Sequence, residues 1–175
     1  MTRTARIALV LWAASCVPVF GKQTPDGVAM IRGTAEGSPI AGSAQFVEHP
    51  DGVEIAVTIS NAPPGLHGLH IHEQGSCADE GKAAGGHYNP AGAPHGLVTR
   101  DGFTHAHAGD LGNIKIGADG NGVLHATVSG LHLTQGQYTV AGRTVILHEK
   151  PDDFGQPTGN AGSRIGCGVI TVAGQ

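Results

Sequence analysis

The clearest pattern along the chain is a run of alternating side chains, in which Val53, Ile55, Val57 and Ile59 interleave with Glu54, Ala56, Thr58 and Ser60. A period of two puts each set on its own face of an extended segment, so the run predicts a strand with one buried face. Leu124, Ala126 and Val128 against His125, Thr127 and Ser129 predict a second strand, and Ile114 and Ile116 around Lys115 a third. Val145 with Leu147, then Val169 with Thr171 or Ile170 with Val172, add strands near the C-terminus. Pro50-Asp51-Gly52, Ala62-Pro63-Pro64-Gly65 and Asp119-Gly120-Asn121-Gly122 punctuate them with residues suited to tight or left-handed backbone. No helical period stands out. Seven or eight short strands between such turns predict an all-β fold, an antiparallel sandwich or barrel. Gly75 to Ala106 and Glu149 to Ser163 break the pattern, being long, without alternation and rich in Gly, Pro, His and Asp. Loops of that length in a compact domain are usually functional or disordered, so an ordering force has to be found for them.

The N-terminus reads differently. Arg3 and Arg6 precede the apolar run Ile7 to Phe20, which is broken by Ser15, Cys16 and Pro18. That run is shorter than the roughly 20 residues a bilayer requires and fits an export signal over residues 1–21, leaving 22–175 as one domain. Two processing routes are open: cleavage after a small residue near Gly21, or lipid attachment at Cys16 with the signal ending at residue 15. Ala13-Ala14-Ser15-Cys16 lacks the aliphatic residue usual three before a lipidated cysteine, which favours the first. No other segment approaches transmembrane length. With Cys16 set aside, Cys77 and Cys167 remain as a pair. An oxidising periplasm or cell envelope would let them join, for roughly 4 to 5 kcal/mol in the chain-entropy model. Two buried thiols are the alternative.

Composition narrows the field. At 175 residues and 39% hydrophobic the chain suits a single domain with a real core. Its 29 glycines and only 14% charged residues favour turns and short strands, and the glycines lack the three-residue period of a collagen. The formal charge of −4 becomes more negative by two if Arg3 and Arg6 are removed, so there is no basic field for nucleic acid. Eleven histidines against ten Lys plus Arg turn attention to metals.

In Leu66-His67-Gly68-Leu69-His70-Ile71-His72-Glu73, a strand would place His70 and His72 on one face and Leu69 and Ile71 on the other. His87 and His95 lie in the first long loop, His107-Ala108-Gly109-Asp110 begins the next strand, and His148 ends the strand Thr144 to Leu147 just before the second loop. Imidazole serves both copper and zinc, a carboxylate suits zinc, and an all-nitrogen site with an open position suits copper(II). A lone His-x-His arises often by composition, and His49, His105, His125 and His132 read as solvated loop histidines. A zinc hydrolase would leave His70, His72 and His148 without a purpose.

Several longer motifs go further: His67-Gly68-Leu69-His70-Ile71-His72, Gly86-His87-Tyr88-Asn89-Pro90, His107-Ala108-Gly109-Asp110-Leu111-Gly112-Asn113, Gly142-Arg143-Thr144 running to His148-Glu149-Lys150-Pro151-Asp152-Asp153, and Gly159-Asn160-Ala161-Gly162-Ser163-Arg164 with Cys167-Gly168-Val169-Ile170. In these the chain resembles the copper/zinc superoxide dismutases from about Met30 to Val172. The resemblance implies an eight-stranded antiparallel Greek-key barrel with two long functional loops, a sandwich architecture known for this family. It implies copper at His70, His72, His87 and His148, and zinc at His87, His95, His107 and Asp110, with His87 bridging the two. Asp152 matches the carboxylate that links a copper ligand to a zinc ligand, and His67 matches a structural histidine. Arg164 is expected beside the open copper position, sharing the catalytic work with His87. The activity implied is conversion of two superoxide radicals and two protons to oxygen and hydrogen peroxide, with copper cycling between Cu(II) and Cu(I). The alternative is a noncatalytic copper- and zinc-binding member of the same fold, a metal carrier or interaction domain. Superoxide is the expected partner, and a homodimer is left open.

Two departures from the family pattern stand out. Only twelve steps separate Asp152 from Arg164, and Gln156, Pro157 and Thr158 stand where a Glu/Lys cluster is expected, which predicts weaker long-range steering. The Gly96 to Ala106 segment is longer than in animal cytosolic relatives, which sets His105 against His107 as a ligand; the His-x-Gly-Asp match favours His107.

Overall fold

A computed structural model describes residues 26–172; the expected export signal over 1–21, Cys16 with its lipid alternative, and residues 173–175 lie outside the described residues. Eight strands follow one another: β1 (Gly27–Gly33), β2 (Ala41–His49), β3 (Gly52–Ser60), β4 (Gly65–His72), β5 (Asp110–Ile116), β6 (Gly122–Ser129), β7 (Thr144–His148) and β8 (Arg164–Val172). They pair antiparallel in the order β1-β2-β3-β6-β5-β4-β7-β8 and close into a barrel. The fold expected from the sequence is the one observed.

The pleat decides what fills the barrel. Val53, Ile55, Val57 and Ile59 of β3 point inward and meet Ala29, Ile31, Ala44, Phe46, Leu69, Ile71, Leu147 and Ile170 in one continuous core. Leu131, Leu133 and Val140, from the connection between β6 and β7, join that core. His49 and His125 belong to β2 and β6 and not to loops, because the alternation continues through them. His132 is half-buried and pairs with Glu48 at 3.0 Å, so it too departs from the solvated state expected of it. His105 is exposed, with its ring against Thr104.

Strand β7 and β4 from His67 onward are buried on both faces, which positions the functional site. Leu69, Ile71, Val145 and Leu147 enter the core, whereas Ile146 packs outside the barrel in a separate small cluster with Ala84 and Cys167. Because His70 pairs with Ile146 across the ladder, the histidines of β4 share that outer face. Two long loops cover it. The first, residues 73–109, contains a 3-10 turn (Lys82–Ala84) and a one-turn helix α1 (Val98–Asp101), both too short to leave a period in the sequence. The second spans residues 149–163. A disulfide joins Cys77 in the first loop to Cys167 in β8, 90 residues apart, with a Cα separation of 5.8 Å. Among the described residues no helix is long and apolar enough to cross a membrane.

Candidate metal centre

Local backbone brings the histidines together. His70 and His72 project from β4, and His148 ends β7 just past a register shift between Leu147 and His148, the kind of irregularity that re-aims a side chain. His87 is tied to the end of β4 as though it were a strand residue: it bridges His72, the Glu73 amide donates to the Gly86 carbonyl at 3.0 Å, and the Tyr88 amide donates to the Ile71 carbonyl at 2.8 Å. The same hydrogen-bonded chain continues from the Gly109 amide to the Tyr88 carbonyl at 3.0 Å, which places His107 and Asp110 beside His87.

Two four-residue clusters result, each with ligand atoms within 4.8 Å of one another: His70, His72, His87 and His148, then His87, His95, His107 and Asp110. His87 belongs to both. All seven side chains are buried.

The hydrogen bonds fix which nitrogen each ring presents. His72 Nδ1 donates to the Gly85 carbonyl at 3.0 Å and His148 Nδ1 to the Gly162 carbonyl at 3.3 Å. A neutral imidazole has one N–H, so both Nε2 atoms carry lone pairs, and these face each other at 3.3 Å. His70 Nε2 donates to Asp152 at 2.8 Å, leaving Nδ1 as a buried lone pair with no hydrogen-bond partner. In His95 Nε2 lies 2.9 Å from Asp152, while Nδ1 sits 2.8 Å from Asp110 Oδ2 but off the hydrogen-bond line. His87 Nδ1 and His107 Nδ1 approach Asp110 Oδ1 at 2.8 and 3.1 Å. Converging lone pairs, with two buried carboxylates whose only ionic partners among the described residues are histidines, call for cations. Four nitrogens on one side and three nitrogens with a carboxylate on the other fit copper and zinc.

Burial pushes His72 down to about 2, His148 to about 3 and His87 to about 4, so these rings stay neutral at ordinary pH. Burial also opposes charge on His95, but Asp110 and Asp152 outweigh it and raise that ring to about 9. Desolvation acts against both carboxylates, yet their histidine partners hold Asp110 and Asp152 well below the usual carboxylate range.

Asp152 ties the two clusters together, and its own position is fixed by Asn113. The Asn113 carboxamide donates to the Asp152 carbonyl at 2.9 Å and accepts from its amide at 2.7 Å. Gly159, at φ 73°, passes so close that any Cβ there would collide with the Asp152 carboxylate and the His95 ring. His67 joins neither cluster; its ring nitrogens lie 2.8 Å from the carbonyls of His148 and Pro63.

A cleft of about 220 Å³ opens onto His72, His87 and His148, lined further by Thr158, Asn160 and Arg164. The Arg164 guanidinium donates to the carbonyls of Gly81, Lys82 and Gly85 in the loop that Cys77 tethers. Burial lowers its pKa from a very high starting point, so it remains a cation at the mouth.

The residues that the family resemblance groups as ligands therefore lie together, with Asp152 behind them and Arg164 over the open side. His105 stays outside. Sequence reasoning missed the braces. Arg143 lies over the Tyr88 ring at 3.5 Å and donates to the Glu73 carbonyl, while Tyr88 Oη bonds Gln137 and Thr139. Gln156, uncharged where a charged cluster is expected, reaches the backbone of His95.

An eight-stranded barrel carrying two adjoining groups of metal-ligating side chains that share one imidazole fits a class of two-metal proteins. The chain belongs to the copper/zinc superoxide dismutase family. Its residues 40–170 match the family model described as copper/zinc superoxide dismutase (SODC). It is 40% identical over 152 residues to superoxide dismutase [Cu-Zn] 3 of Arabidopsis thaliana, covering 82% of this chain and 88% of that one. It is 34% identical over 174 residues to the extracellular superoxide dismutase [Cu-Zn] of Caenorhabditis elegans, covering 94% and 77%. Among solved structures it is similar to the clock protein EA4, with a TM-score of 0.74 and 34% identity over 87% of this chain and 98% of that one.

Proposed function

We propose that this chain is a catalytic superoxide dismutase, converting two superoxide radicals and two protons to one oxygen and one hydrogen peroxide. The observation that carries the reading is the shared His87 ring beneath a cleft capped by Arg164. His70, His72, His87 and His148 would hold copper, and His87, His95, His107 and Asp110 zinc. Copper bound there supplies one-electron redox chemistry between Cu(II) and Cu(I), and zinc a fixed charge.

The chain's own residues do the rest. Arg164 attracts and orients the small anion through a permanent charge with several donors. Its backbone-anchored guanidinium pays little ordering cost, since three loop carbonyls already fix it. His87 Nδ1 faces Asp110, so Nε2 is the atom left to hold a proton next to the cleft and pass it to the reduced product. Asp152 and Asn113 keep His70 and His95 in the required tautomer and orientation.

The domain reading, an export signal over 1–21 and an enzyme over 22–175, belongs to the same proposal. The Cys77–Cys167 bond and the similarity to a relative named as extracellular support export, with the periplasm or cell envelope as destination and Cys16 as the alternative lipid site. The test is metal analysis of the purified chain followed by superoxide consumption after loading with copper and zinc. One copper, one zinc and rapid consumption are expected. A protein that binds both metals and leaves superoxide untouched is a noncatalytic member instead.

A further inference from the structure

The second loop is short, and its tip folds into a tight turn. The Asp153 amide donates to the Gly159 carbonyl at 2.9 Å, the Gly159 amide to the Gly155 carbonyl at 2.7 Å, and the Phe154 amide to Asp152 Oδ1 at 2.8 Å. Gln156 stands at the apex. Its Oε1 accepts from the His95 amide at 3.0 Å and its Nε2 donates to the His95 carbonyl at 2.8 Å. One side-chain amide thus pairs with both backbone groups of a single residue 61 positions away. Asp152, at the base of the same turn, binds the ring of that residue through Nε2. Phe154 adds a third contact, its ring stacked on the His95 ring with centroids 6.5 Å apart and the Arg100 guanidinium over the Phe154 ring, 5.9 Å from its centroid. His95 is therefore gripped by ring and by backbone from one turn, which leaves Nδ1 aimed at Asp110.

We propose that Gln156 is a positioning residue for zinc: with Asp152 it sets His95 in its ligating pose before any ion arrives. This rests on zinc occupying the His87, His95, His107 and Asp110 cluster. The physical argument is preorganisation. His95 sits in the first long loop, on a stretch that precedes α1 and belongs to no strand, so without a clamp the ion would have to order it on binding. The carboxamide does that ordering in advance, across the gap between the two loops. Copper's exclusive ligands, His70, His72 and His148, lie on β4 and β7, and among the described residues the Gln156 side chain hydrogen-bonds only to His95, so the effect is selective for one metal.

The experiment compares the full chain with Gln156→Ala and Gln156→Glu. Zinc affinity is measured by competition with a chelator, copper affinity by the same means, and exchange of the His95 amide by hydrogen-deuterium exchange after metal removal. In Gln156→Ala zinc should weaken about tenfold, the usual scale for a residue that orients a ligand, and copper less than threefold. The His95 amide should exchange much faster. Gln156→Glu keeps an acceptor for that amide but loses the donor to the carbonyl, so it should fall between the other two. It also serves if the alanine variant folds poorly. Zinc affinity within twofold of the parent in both variants, or equal losses for both metals, overturns the positioning role. A parent chain that holds no zinc overturns the zinc reading itself, and with it this one.

Discussion

The two halves of the centre are built on opposite plans. On one side His70, His72 and His148 come from barrel strands; burial keeps His72 and His148 neutral, and these two meet the cleft. On the other side His95 lies in a loop, His107 just ahead of β5 and Asp110 at its start; a carboxylate is included, His95 is pushed up to about 9, and only His87 of this group lines the cleft described above. The strand-borne half takes its backbone order from the barrel, with Asp152 orienting the His70 ring, and opens onto the cleft through His72 and His148. The loop-borne half depends on charge and on side-chain clamps for its order. The contrast teaches that, apart from His87, access to the cleft falls to the part of the site whose backbone the barrel already fixes.

Replacing a strand-borne ligand should do the most damage. His148→Ala is expected to lose copper and superoxide consumption together, beyond the roughly 10- to 100-fold cost of losing an orienting partner, while zinc stays bound. Metal analysis with an activity assay checks this, and retained activity would break the assignment. Arg164→Ala should leave both metals in place and slow the reaction about tenfold or more, because the anion loses its local positive charge. Loss of copper from that variant would move Arg164 into a structural role.

Cys77→Ser frees the loop whose carbonyls hold Arg164, and should cost roughly 2 to 5 kcal/mol of stability by thermal or denaturant unfolding. The same variant should lower activity with both metals retained. An unchanged unfolding midpoint would show that the loop is held by other means.

The metal-free protein should expose the contrast as a pH effect of opposite sign in each half. His72, His148 and His87 have folded values of about 2, 3 and 4 against 6.5 unfolded, so the unfolded chain binds more protons below about pH 6.5 and stability falls as pH drops. His95 at about 9 stabilises below 6.5, and that contribution is lost as pH rises through 9. Unfolding midpoints after chelation should therefore peak near pH 6.5, and a flat profile from pH 4 to 9 would argue against the burial-driven asymmetry. The smallest effect concerns salt. With Gln156, Pro157 and Thr158 at the loop tip, raising ionic strength should slow the loaded enzyme only modestly, and a fall as steep as in relatives with charged loops would contradict weak steering.

How legible the molecule was depended on side-chain size and on distance along the chain. Strand β3 announced itself because Val and Ile occupy every inward position. Strands β1 and β2 did not, since Gly and Ala fill many of their positions and blur the alternation around Ile31 and Phe46. Helix α1 has four residues and no room for a period. The histidines and Asp110 stood out through motifs in which chemistry and spacing coincide. The grips of Gln156 on His95 and of Asn113 on Asp152 had no such signal, because each pairs a side-chain amide with backbone far away, and backbone polar groups are the same at every position.

The alternation along β4 has a further consequence for anyone redesigning this molecule. Leu69 and Ile71 serve the barrel interior while His70 and His72 serve the centre outside it, so hydrophobic repacking and ligand replacement draw on separate sets of codons within one short segment. A library that varies only inward positions can raise thermal tolerance without touching the coordination chemistry, and one that varies only outward positions can retune the redox couple on an unaltered scaffold.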